Sequence, residues 1–139
     1  MSTVFTTLPG HPHSVGAARH FVTACLRACP VGVPNEITEA VELVVSELAT
    51  NALRHTRTRA SGGTFSVRVE TTPCRVRGKV HSGALLHRHD TPHVFQADLG
   101  GLAEGGRGLA LVDQLTTRWG SLPHAHGVYF LLHWPTPRT

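Results

Sequence analysis

Lysine is almost missing from this chain. Lys79 is the only one among thirteen basic residues, so the cationic side chains are nearly all guanidinium groups, whose forked geometry suits phosphate and carboxylate. Aromatic residues are equally sparse at 6%, and the arginines are scattered, the densest run holding Arg54, Arg57 and Arg59. A nucleic-acid-binding surface wants a basic stripe with aromatics interleaved, so no direct nucleic-acid partner is expected. No run approaches the ~18 apolar residues of a membrane span, and no membrane partner is expected. The opening MSTVFTTLPGHPHS lacks a basic start followed by an apolar stretch, so no secretory signal is expected either. The three cysteines, Cys25, Cys29 and Cys74, are too few and too scattered for a disulfide framework, which fits a reducing cytoplasm. Cys25 and Cys29 have no Cys or His partner at zinc-finger spacing and read as small buried apolar residues.

What is present is an ordinary globular balance: 40% hydrophobic and 16% charged over 139 residues, enough for one domain spanning 1–139 with its own core. Residues 3–8 read as a first strand ended by Pro9-Gly10. Ser14 is a candidate cap for a helix over 15–29, with Val15, Ala18, Phe21, Val22, Cys25 and Cys29 on one face. Asn35 is a candidate cap for a longer helix. Ile37, Ala40, Val41, Val44, Val45, Leu48, Ala49, Ala52 and Leu53 recur at helical spacing through about Arg54. Two β-rich runs, 64–71 and 75–81, form a hairpin around Thr72-Pro73-Cys74. Gly78 and Lys79 interrupt the second run, and Lys79 marks an edge or a solvent face. Residues 82–106 form no convincing element, helix resumes over 107–115, and 118–121 and 127–134 close the chain as strands. The order predicts an α+β fold: a two-layer α/β sandwich, a mostly antiparallel sheet with helices packed on one face.

Two features carry chemistry. Glu47 and Asn51 are four apart on the long helix and rise from one face at the border of its apolar stripe. A carboxylate beside an amide oxygen can orient Mg²⁺ or polarise a hydroxyl; a solvated helix face with a local hydrogen bond is the plainer alternative. The second is Glu104-Gly-Gly-Arg-Gly-Leu-Ala-Leu-Val112, in which glycines lead into an amphipathic helix. Glycines admit a phosphate close to the backbone, the first helical N–H groups are unpaired, and Arg107 adds a fixed cation; a hinge before a helix is the alternative.

Together, Val44-Val-Ser-Glu-Leu-Ala-Thr-Asn-Ala-Leu-Arg-His-Thr56 and Gly105-Gly-Arg-Gly-Leu-Ala-Leu-Val112 resemble the GHKL (Bergerat-fold) ATP-binding family, and more closely the anti-sigma-factor serine kinase branch of actinobacteria. The resemblance implies that Glu47 activates the attacking hydroxyl and that Asn51 ligates the Mg²⁺ of Mg-ATP. It implies that Gly105, Gly106 and Gly108, with Arg107, form the glycine box ending an ATP lid over 82–106. Members of that branch phosphorylate an anti-sigma antagonist, bind a sigma factor and are often homodimers.

The family's Asp-x-Gly box is altered. Its Asp accepts the adenine amino group and its Gly admits the ring. Ungapped, Ser82 stands at the Asp position and Ala84 at the Gly position; with one residue deleted, Gly83 keeps its role and the Asp is missing. A charge-assisted hydrogen bond contributes ~1.5–3 kcal/mol, so its loss lowers affinity for the base ~10–100-fold. Two functions therefore compete: an ATP-dependent serine/threonine kinase, and a pseudokinase-type module that binds a partner protein with weak or lost nucleotide binding. A third reading, a metal sensor, draws on His81, His87, His89 and His93 with Asp90 among them; a polar, histidine-rich lid is the plainer account. His124 and His126 are expected in a turn between strands, and Trp119 and Trp134 in the core or at its rim.

Overall fold

The computed structural model describes residues 1–84 and 104–136, with side chains from 109 onward in the second stretch. The elements are β1 (Ser2–Pro9), α1 (His13–Ala28), α2 (Asn35–His55), a 3-10 turn (Arg57–Arg59), β2 (Thr64–Thr72), β3 (Arg75–His81), α3 (Glu104–Leu115), β4 (Arg118–Ser121) and β5 (Gly127–His133). The fold is the expected α+β sandwich. One five-stranded sheet runs in the order β1-β2-β3-β5-β4, every neighbouring pair antiparallel, with the helices on one side.

Alternation decides which face each strand buries. Phe65, Val67 and Val69 of β2, Val76 and Val80 of β3, and Val128, Phe130 and Leu132 of β5 point to one side and are buried. Above them lie Ala18, Val22 and Leu26 of α1 and Val41, Val44, Val45, Leu48 and Ala49 of α2, with Leu109 and Val112 of α3, in one contiguous core. Both α1 and α3 pack against α2, which makes the long helix the centre of its layer.

Several local expectations are corrected. Ser14 is not a cap: it lies inside α1, 6% exposed, and the preceding Pro12 gives the helix no side-chain cap. Asn35 is the first residue of α2, behind Pro34, whose fixed φ suits a helix entry, and it makes no capping bond. Of the two readings of Lys79 the solvent face holds and the edge does not, because β3 is the middle strand of the sheet and Lys79 sits on its open face. Gly78 does not break that strand. Its missing Cβ leaves the space the Phe130 ring fills from β5, where an added Cβ would collide with the ring. The last helix begins at Glu104 rather than Arg107, so Gly105, Gly106 and Gly108 lie in its first turns. The N–H groups of Gly105 and Gly106, in the first turn, have no intrahelical partner, whereas that of Gly108 faces the Glu104 carbonyl four residues back.

Trp119 and Trp134 pack against the core edge, and the Trp119 indole donates to Asp113 Oδ1 at 2.9 Å, tying β4 to α3. Among the described residues no helix is long and apolar enough to cross a membrane.

Candidate functional site

The C-terminal half of α2 lies over the adjoining ends of β3 and β5, and the gap between them is a cleft of about 180 Å³. Its apolar walls are Leu48, Ala52, Val80 and Val128, and its polar groups include Asn51, Ser82, Ser121 and His126. Ligand pockets for whole drug-sized molecules run to ~300–1,000 Å³, and the cleft bounded by the described residues has room for a flat heterocycle.

Two contacts hold the sheet end of the cleft in shape. The Ser82 N–H donates to the His126 carbonyl at 3.0 Å, extending the β3–β5 pairing by one residue. Gly127 turns the chain into β5 with φ 141°, and a Cβ there would run into the Val80 carbonyl oxygen. Only glycine fits that corner.

The segment after β3 is pinned from the other side by the end of α2. The Thr56 hydroxyl donates to the Ala52 carbonyl, so its oxygen is left to accept, both from the Thr58 N–H at 3.1 Å and from the Thr58 hydroxyl at 2.6 Å. Thr58 Oγ1 in turn accepts the Gly83 N–H at 2.9 Å, and the Arg57 N–H donates to the Ala84 carbonyl at 2.8 Å. Thr56 and Thr58 are 5% and 1% exposed, so these bonds are made away from water. The Gly83 backbone approaches so closely that a Cβ would sit 3.0 Å from the Thr58 nitrogen.

Ser82 is left lining the cleft with its hydroxyl directed at the Gly83 carbonyl, 3.2 Å away. With its proton committed there, its oxygen lone pairs are oriented to accept a donor.

The residues singled out from the sequence are distributed as follows. Asn51 and Ser82, from opposite sides, line the same cleft. Glu47, one turn before Asn51, is half-buried and outside that lining. Gly83 is used against the 3-10 turn. Gly105, Gly106, Arg107 and Gly108 belong to the first turns of α3, which packs on α2; the Arg107 side chain and most of the 82–106 lid, with His87, His89, Asp90 and His93, lie outside the described residues. Among the described residues no three His, Cys, Asp or Glu side chains gather as a metal site. Burial pushes the Cys25 thiol above its ordinary range, which disfavours the thiolate a metal needs.

Sequence reasoning misses Thr58, the His126 backbone and Ser121. Their signal exists only once β3, β5 and the 3-10 turn are side by side. Thr56 closes the long-helix string, but nothing in its spacing announces a buried hydroxyl chain.

The donor set suits a magnesium nucleotide in part. An amide oxygen such as that of Asn51 is a hard ligand of the kind Mg²⁺ takes, and the apolar walls suit a base. No carboxylate lines the cleft among the described residues.

Nothing among curated proteins matches the chain. The family model of the histidine kinase-like ATPase domain matches residues 8–124, a span that carries Glu47, Asn51, Ser82 and the glycine box. With that span covering well over half the chain, the protein belongs to the histidine kinase-like ATPase (GHKL-type) domain family.

Proposed function

We propose that this domain is an ATP-dependent protein serine/threonine kinase of the anti-sigma-factor type, acting in the cytoplasm on an anti-sigma antagonist and holding a sigma factor. The observation that carries the reading is the meeting of Asn51 and Ser82 across one cleft, the first from α2 and the second from the end of β3. The base enters between Leu48, Ala52, Val80 and Val128, and the Ser82 oxygen accepts its amino group. Asn51 holds the magnesium of Mg-ATP, which when bound neutralises phosphate charge. The free backbone N–H groups at the start of α3 would hold the triphosphate, and Arg107 would add a cation to them. Glu47 takes the proton of the substrate hydroxyl as its oxygen bonds to the γ-phosphorus and ADP leaves. Few residues are needed because phosphoryl transfer is catalysed mainly by positioning and charge stabilisation.

A second reading rests on Ser82 itself. A neutral hydroxyl replaces the carboxylate expected there, so a module that binds its partner with little or no nucleotide remains the rival.

Calorimetry of the full chain with Mg-ATP separates the two. The kinase reading expects wild-type binding that Ser82→Asp tightens ~10–100-fold, and ATP turnover that Glu47→Ala abolishes while binding persists. Absence of wild-type binding, restored only by Ser82→Asp, overturns the kinase in favour of the module.

A further inference from the structure

The sheet has a second face, away from the helices, and the register shows what it gathers. Phe5, Arg68, Lys79 and Tyr129 stand opposite one another on β1, β2, β3 and β5. The neighbouring row sets Glu70, Arg77, Leu131 and Arg118 side by side. Arg75 lies on the same face of β3, two residues before Arg77. Five cations thus share the face with one carboxylate among the described strand residues, and that carboxylate, Glu70, already meets Arg68 Nε at 3.3 Å.

These arginines are scattered along the chain and become a stripe only through strand pairing, which removes the ground on which the sequence argued against nucleic acid. The pairing is also unfavourable for the fold alone. Like charges directly opposite across two strands destabilise a sheet, and Arg68 faces Lys79 in this way. Their field reaches His81 on the same face, whose basicity is lowered first by burial and then by Lys79 and Arg68.

We propose that this open face binds single-stranded nucleic acid, with phosphates on Arg68, Arg77 and Lys79 and bases stacked on Phe5 and Tyr129. Phe5 is 59% exposed, a large aromatic left in water at one end of the basic row. Tyr129 ends the row three strand spacings away, about 14 Å. An acidic polypeptide would satisfy the guanidinium groups but makes no use of the exposed Phe5 ring or of the part-exposed Tyr129 ring beside Gly120, and a duplex keeps its base faces hidden in its own stack. A second copy of the chain would set the same cations against each other. The proposal is independent of the kinase reading, since the face lies across the sheet from the cleft.

Fluorescence anisotropy tests it, with the full chain and labelled dT12, U12 and a polyglutamate 20-mer at 50 and 200 mM NaCl. Both oligonucleotides are expected to bind more tightly than polyglutamate and to weaken with salt, the better of the two telling whether DNA or RNA is the source. The double substitution Arg77→Ala/Lys79→Ala is expected to flatten the log–log salt slope by about 1.4, at ~0.7 per cation on a single strand. Phe5→Ala is expected to weaken binding about 5- to 100-fold with the slope unchanged. Should Phe5→Ala melt early, Phe5→Leu keeps apolar volume without the ring and is expected to show the same loss. The proposal is overturned if neither oligonucleotide binds at 50 mM NaCl, if polyglutamate binds more tightly than both, if both Phe5 variants bind as wild type does, or if sedimentation finds a dimer that the double substitution dissolves.

Discussion

The two ends of the cleft are built on different principles. At the helix end a single element suffices: Asn51 is placed by the periodicity of α2, with Leu48 and Ala52 beside it fixed by the same spacing. At the sheet end four segments must dock together, namely the 3-10 turn, the exit of β3, the residues before β5, and β5 itself. A helix carries its own backbone hydrogen bonds wherever it goes, whereas the sheet end exists only when long-range partners have found each other. Substitution of Asn51 at the helix end should therefore touch ligand binding and spare the fold, while substitutions at the sheet end should disturb both.

The largest expected effect falls on the corner of β5. Gly127→Ala forces a side chain into a backbone conformation that glycine alone adopts easily and drives its Cβ onto the Val80 carbonyl. Strain and overpacking together should cost about 3 kcal/mol or more in urea denaturation. A Gly127→Ala variant as stable as wild type would show that the corner is loose and that the comparison fails.

Thr58→Val comes next. The shape is kept, but the Gly83 N–H loses its acceptor and Thr56 Oγ1 loses a donor, in a spot where Thr58 is 1% exposed. Leaving a buried polar group unsatisfied costs ~1–3 kcal/mol. Because the bond pins the segment next to Ser82, Mg-ATP affinity should fall with stability, and calorimetry on the folded variant separates the two effects.

Asn51→Ala sharpens the contrast from the other end. Alanine is the better helix former, so the unfolding free energy from urea denaturation should change by less than ~0.5 kcal/mol in either direction. Mg-ATP binding should nevertheless be lost to calorimetry. A large fall in stability would mean that Asn51 is a packing residue and the helix end is no more independent than the sheet end.

The same contrast explains what the sequence makes legible. The α+β order, the α2 periodicity and the Glu47–Asn51 spacing are local patterns, and all of them are readable along one strip of chain. The hairpin of β2 and β3 is readable too, since its two runs adjoin. Gly78 looks like a break in the sequence because its partner, Phe130, is brought to it only by β3–β5 pairing. Lys79 leaves an edge and a solvent face both open in the sequence because the position of β3 in the sheet is set by β5, which follows much later in the chain. Ser82 is legible through the family resemblance, but the two contacts that fix its backbone surroundings, to His126 and through Thr58, join residues far apart in sequence.

The smallest expected effect is a pH dependence that links the sheet end to the open face. His81 precedes Ser82, its Nδ1 is buried without a hydrogen-bond partner, and its basicity is lowered by burial and then by Lys79 and Arg68. Its protonated form is therefore disfavoured in the folded chain. As pH falls below the ordinary histidine value of 6.5, the unfolded chain takes up a proton that the folded chain refuses, so stability declines. The decline levels off once pH passes below the lowered folded value. His81→Gln should remove that component from the acid limb of a urea titration and leave neutral-pH stability nearly unchanged. An anion laid over Arg68 and Lys79 would cancel the charge part of the effect, so dT12 or U12 should raise the His81 titration midpoint followed by NMR, while Mg-ATP in the cleft should leave the repulsion from Lys79 and Arg68 in place. A midpoint that ignores the oligonucleotide would separate His81 from the basic stripe and return its behaviour to burial alone.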